Sequence, residues 1–146
     1  MNRSDPTTHL DLAARLRLAV TRTARRLRQE ADAQLTPSQA AALATVARHG
    51  PMTPSELADV ERVQRPTATR VAAFLEERGL LDRTGDPRDG RVSLLSTTAE
   101  GQALLDEMRS RKTAYLARRM AALDPEDRAA LERAADVLER MLEQPE

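Results

Sequence analysis

Apolar residues recur at helical spacing over most of the chain. The first stripe is Leu12, Leu16, Val20, Ala24 and Leu27, inside a pattern running from about Leu10 to Ala33, with Arg15, Arg22, Arg25, Arg26 and Arg28 largely off it. Thr36-Pro37-Ser38-Gln39 then reads as a fresh helix start. The Thr oxygen can accept a backbone N–H, Pro suits the first helical position, and Gln three residues on can return the bond. Gly50 suits the end of that helix. The same device recurs at Thr53-Pro54-Ser55-Glu56, opening a short helix with Leu57, Ala58 and Val60. Another helix begins at Arg65-Pro66-Thr67 and continues through Val71, Phe74 and Leu75 to Gly79. A tight turn over Glu61 to Gln64 joins these two, which makes a helix-turn-helix unit.

After Gly79 the period shortens. Leu80-Leu81-Asp82-Arg83-Thr84 and Arg91-Val92-Ser93-Leu94-Leu95-Ser96 read as two strands joined by the turn-rich Gly85-Asp86-Pro87-Arg88-Asp89-Gly90. Thr98 opens a long helix carrying Leu104, Leu105, Met108, Tyr115, Leu116 and Met120. Asp124-Pro125 opens a last one with Leu131, Ala134, Ala135, Leu138, Met141 and Leu142. The predicted fold is mainly α with a small β-hairpin wing (α+β). A winged helix-turn-helix over residues 35–97 is flanked by an N-terminal helix in 1–34 and C-terminal helices in 98–146, both suited to dimerisation.

Composition narrows the chemistry. A chain of 146 residues is one domain's worth and can bury a core without staples. It has no Cys and two His (His9, His49), which excludes disulfides, Cys-based zinc sites, iron–sulfur clusters and thiol nucleophiles. No apolar run approaches a membrane span and no signal-peptide core is present, so a cytoplasmic protein is expected. Dinucleotide, Walker, zincin and nucleophile-elbow motifs are absent, and no cofactor, metal or enzymatic activity is expected. The net charge of zero is a cancellation. Residues 1–29 hold seven Arg against two Asp, whereas residues 120–146 hold three Arg against eight acids.

Position singles out a few arginines. Arg65, Thr67, Thr69 and Arg70 crowd the first turns of the second helix of the helix-turn-helix, the end that meets base edges when such a helix enters a major groove. Arg88 and Arg91 sit at or beside the hairpin tip, where they can reach a minor groove, with Asp86 and Asp89 expected to orient their guanidinium groups. The plainer alternatives are a helix cap, a solvated turn and a solvated arginine face. From residue 61 to 91 seven Arg meet six acids, so a protein-interaction module without DNA binding is the competing reading. The basic first helix and the acidic last one suit each other, within one chain or across a homodimer.

The stretch from Leu35 to Gly101 resembles the MarR family of bacterial winged helix-turn-helix transcriptional regulators. The resemblance rests on the LTPSQ start with HGPMTPSELA, the R-P-T-A-T-R helix closing with L-E-E-R-G-L, and the D-P-R-D-G-R wing leading to T-x-x-G. It implies a homodimeric repressor on a pseudo-palindromic site in double-stranded DNA, with Arg65, Thr67, Thr69 and Arg70 at the recognition-helix start and Arg88 and Arg91 on the wing. It also implies release by a small, often phenolic or carboxylate, effector bound between the dimerisation helices and the DNA-binding lobe; no residue is assigned to that ligand. The chain departs from the pattern at Glu61 and Arg62, where an apolar residue and glycine are usual, and Arg62 could reach a phosphate. Thr97 stands where Leu is usual. Without Cys the chain lacks peroxide sensing by thiol oxidation, and Tyr115 is its one Tyr.

Overall fold

Each turn-rich tetrad becomes a helix start in the computed structural model, which describes residues 6–143. The order is α1 (Pro6–Ala31), α2 (Pro37–His49), α3 (Pro54–Glu61), α4 (Arg65–Glu77), β1 (Leu81–Gly85), β2 (Ser93–Thr97), α5 (Ala99–Ala121) and α6 (Pro125–Glu143). Both capping boxes form. Thr36 accepts from the Gln39 N–H at 3.2 Å while Gln39 accepts from the Thr36 N–H at 2.9 Å, and Thr53 and Glu56 exchange the same pair at 3.1 and 2.7 Å. Each box satisfies two N–H groups that a helix start leaves without partners. Several boundaries move: α1 begins four residues before Leu10 and ends at Ala31, β1 runs Leu81–Gly85 and not Leu80–Thr84, and β2 begins at Ser93 because Arg91 and Val92 belong to the turn.

The core lies where α2, α3, α4 and the root of the hairpin meet. Leu43 and Val46 from α2, Leu57 from α3, Leu75 from α4, Leu81 from β1 and Leu95 from β2 are all fully buried. Each such side chain contributes about 1.5–3 kcal/mol through removal from water. The strands pair antiparallel with Leu81 opposite Thr97 and Arg83 opposite Leu95. On its other side Leu95 is bridged to Met52, whose N–H donates to the Leu95 carbonyl at 3.1 Å and whose carbonyl accepts from the Leu95 N–H at 2.7 Å. The hairpin is thereby stitched to the α2–α3 connection.

Thr98 seats α5 on this body. Its hydroxyl donates to the Gly79 carbonyl at 2.6 Å and accepts from the Gly101 N–H at 3.0 Å, while its own N–H donates to the Leu80 carbonyl at 3.1 Å. At Gly101 a Cβ would stand 2.2 Å from the Leu80 carbonyl oxygen, so the close approach requires glycine. Farther along, α5 carries α1. Arg111 donates to the Ala31 and Asp32 carbonyls at 3.1 and 3.4 Å, closing the C-terminal end of α1. Arg26 lies 5.5 Å over the Tyr115 ring and pairs with Glu30 at 2.6 Å. Hydrogen bonding to Tyr115, and then the Glu30 charge, raise its pKa further above the usual arginine value. α6 has no buried residue, and no ion pair joins its acids to the arginines of α1 among the described residues.

Candidate nucleic-acid interface

The α3–α4 turn is tight because α3 ends in a left-handed residue. Arg62 has φ 53° and ψ 44°, and its N–H donates back to the Ala58 and Asp59 carbonyls. The Val63 N–H also returns to Ala58, at 3.0 Å. This is a conformation usually given to glycine, so an arginine is strained in it. Beside it, the Thr45 hydroxyl donates to Glu61, tying the end of α3 to α2. The unusual Glu61 therefore has a structural partner that the sequence pattern did not reveal.

α4 buries Ala68, Ala72 and Leu75. Arg65 opens the helix, and Arg65, Thr69 and Arg70 are exposed away from that buried side. Thr67 is set apart from them: it is half-buried and lines a crevice with Pro37, Ala41, Leu57 and Val71. It does not cap the helix, because the cap position is Gln64 and no side chain makes the capping bond.

At the hairpin tip the two aspartates organise the backbone rather than the arginine heads. Asp86 Oδ1 accepts from the Arg88 N–H at 2.8 Å, and Asp89 Oδ1 from the Arg91 N–H at 3.0 Å. Short Asp side chains favour such local bonds over longer-range pairing. The expected orientation of the guanidinium groups by Asp86 and Asp89 is thus replaced by two side-chain-to-backbone turns. Arg88 and Arg91 are both exposed.

Charge is distributed by pairing. Arg26, Arg83, Arg109 and Arg111 are held by Glu30, Glu76, Asp106 and Glu107. Among the described residues none of Arg62, Arg65, Arg70, Arg88 and Arg91 takes part in an ion pair. The near-zero balance of this region therefore conceals unneutralised cations on α4, on the turn before it and on the wing. Arg83 and Glu76 link β1 to α4, a contact that periodicity within single elements could not indicate.

A second feature lies behind α2. A cleft of about 880 Å³ opens between the C-terminal half of α1, the α1–α2 connection, α2 and α5. Its walls include Leu27, Leu35 and Met108, with Arg25, Arg28, Arg109 and Lys112 outnumbering Asp32. Among the described residues no helix is long and apolar enough to cross a membrane, and no cluster of side chains could hold a metal ion.

A helix-turn-helix whose second helix presents exposed arginines, followed by a hairpin with two more at its tip, defines a winged helix-turn-helix regulator. The chain belongs to the MarR family, whose sequence pattern matches residues 35–93. It is 41% identical over 128 residues to the uncharacterized HTH-type transcriptional regulator Mb0904 of Mycobacterium bovis, covering 87% of this chain and 90% of that protein. It is 34% identical over 93 residues to the HTH-type transcriptional repressor MdtR of Bacillus subtilis, covering 64% of this chain and 60% of the relative. A candidate transcriptional regulator from Pseudomonas aeruginosa PA01, known from its crystal structure, superposes with a TM-score of 0.84 at 37% identity, over 97% of this chain and 100% of the other. The chain is accordingly a transcriptional regulator and not an enzyme.

Proposed function

We propose that the protein is a homodimeric repressor that grips a pseudo-palindromic DNA site, with α4 of each subunit in a major groove and each wing in a flanking minor groove. One observation carries the DNA-binding reading: the turn, the helix and the wing that would face the duplex present Arg62, Arg65, Arg70, Arg88 and Arg91 exposed and, among the described residues, outside any ion pair. Arg65 and Arg70, with Thr69, read base edges; Arg62 meets a phosphate; Arg88 and Arg91 enter the minor groove. Thr67, half-buried, acts at the margin of this surface.

Dimerisation is supported by α6. Its Leu131, Val137, Met141 and Leu142 are uncovered by their own chain, with Met141 60% and Leu142 87% exposed. An apolar stripe of that length in water calls for a partner surface, and a second copy supplies one with two-fold symmetry. The name of MdtR supports repression. The cationic cleft behind α2 suits a small carboxylate effector whose binding would favour a lobe spacing that no longer fits both half-sites.

The test is selection of bound duplexes from random DNA fragments. Two-fold related half-sites about 10 bp apart are expected. On the selected duplex, log K should fall with log salt with a slope steeper than about −4, the value for four or five neutralised phosphates. Failure to enrich any sequence, or a shallow slope, overturns the reading.

A further inference from the structure

Beyond the root of the hairpin, β1 has little to rest on. Leu81 is buried, but Asp82, Arg83, Thr84 and Gly85 are all exposed, and so is most of the tip that follows. A two-stranded ribbon is marginal by itself in water; the Met52–Leu95 bridge holds the β2 side, so on the β1 side the direction in which it projects depends on side chains. Among the described residues a single polar side-chain link reaches from the ribbon to α4. The Arg83 Nε donates to Glu76 Oε1 at 2.8 Å and the Arg83 Nη2 donates to Glu76 Oε2 at 3.0 Å. Two parallel bonds between planar groups fix an angle as well as a distance, which one bond from an ammonium cannot do. The pair is partly shielded, with 35% and 24% of the two side chains exposed. Its hydrogen bonds to Glu76 raise the Arg83 pKa further above the usual arginine value.

We propose that Glu76 and Arg83 are positioning residues that set the angle between wing and recognition helix, so that Arg88 and Arg91 reach the minor groove while Arg65 and Arg70 occupy the major groove. Neither residue touches DNA in this arrangement. The inference rests on the DNA-binding reading above, but it makes a claim about the free protein as well. The alternative for Arg83, a direct phosphate contact, predicts different signs: removing the Glu76 charge would then leave binding unchanged or strengthen it.

Hydrogen exchange on the free full-length protein tests the brace without DNA. In Glu76→Gln and Arg83→Gln the amides of residues 86–92 should exchange about fivefold faster, the equivalent of ~1 kcal/mol, with α2 and α3 unchanged. On the selected duplex each variant should lose about fivefold in affinity, again ~1 kcal/mol. Neither should lose affinity on the same duplex trimmed of its outer flanks. The double variant should lose no more than either single one. Arg83→Lys, which keeps the charge but not the two-point geometry, should behave like Arg83→Gln. Unchanged wing exchange in Glu76→Gln overturns the proposal whether or not any duplex binds. So does loss of affinity in Arg83→Gln alone, which would make Arg83 a phosphate contact. If the wild-type protein binds no duplex, the functional reading falls and the exchange result still decides the brace.

Discussion

Replacing Gly101 by Ala probes the joint on which α5 is mounted. In a free helix the change would help by up to about 1 kcal/mol, since Ala is the better helix former. Here the added methyl would lie 2.2 Å from the Leu80 carbonyl oxygen, 2.9 Å from Thr97 Cγ2 and 3.1 Å from the Leu80 carbonyl carbon. Two of these three atoms are backbone, so the conflict cannot be relieved by turning a rotamer. The helix must move away, which costs about 1–3 kcal/mol as overpacking. The same movement stretches the Thr98 bonds to Leu80 and Gly79, at 3.1 and 2.6 Å, each worth about 0.5–1.5 kcal/mol. The net expectation is a loss of about 2–4 kcal/mol, a large share of the 5–15 kcal/mol typical of a domain. Urea unfolding at fixed protein concentration measures it, with Gly90→Ala as control. A methyl at Gly90 meets nothing within 4 Å and the backbone there lies outside the left-handed region, so that variant should be neutral or slightly stabilised. A Gly101→Ala protein within about 0.5 kcal/mol of wild type would refute the close-approach argument.

Other substitutions test separate parts of the account. Arg62→Gly relieves a left-handed residue and should raise stability by about 1 kcal/mol in urea unfolding while weakening DNA binding through loss of a phosphate contact; a stability gain without any change in binding would remove Arg62 from the interface. Thr97 Oγ1 is buried without a hydrogen-bond partner among the described residues, so Thr97→Val should be neutral or stabilising by about 1 kcal/mol, and a clear loss of Tm would show that the hydroxyl has a use. Arg70→Ala should cost about 1–3 kcal/mol on the selected duplex and much less on random DNA, and an equal loss on both in a competition assay would make it a phosphate contact. Arg91→Ala should weaken binding most where the flanks are A·T-rich; insensitivity to the flanks would take the wing out of the minor groove.

What was legible in the sequence was local. The two capping boxes, the glycine stops and the change of period at Gly79 rest on residues within one turn of each other, and the elements appear where those signals put them. The turn at Glu61–Gln64 is legible from the helices on either side, but the left-handed residue that makes it is not, because Arg62 stands where glycine would signal it. The exposed arginines of α4 followed from its apolar face, whereas the turn of Thr67 toward α2 depends on how a second helix packs. The Glu76–Arg83 pair and the Met52–Leu95 bridge join different elements, and no rule of spacing within an element reports them. The wing aspartates show the limit of charge patterning. Opposite charges adjacent in sequence suggested a salt link, but a two-bond reach to the nearest backbone N–H won.

The Met52–Leu95 bridge bears on solubility as well as on architecture. A two-stranded ribbon that projects from a protein offers two rows of open N–H and C=O groups, each a template on which another chain could add a strand. Near its root, the β2 side is occupied by Met52, and the β1 side carries the charged pair Asp82 and Arg83. Occupancy on one side and charge on the other discourage edge-to-edge association between copies. The wing can therefore stand clear of the body without becoming a nucleus for aggregation.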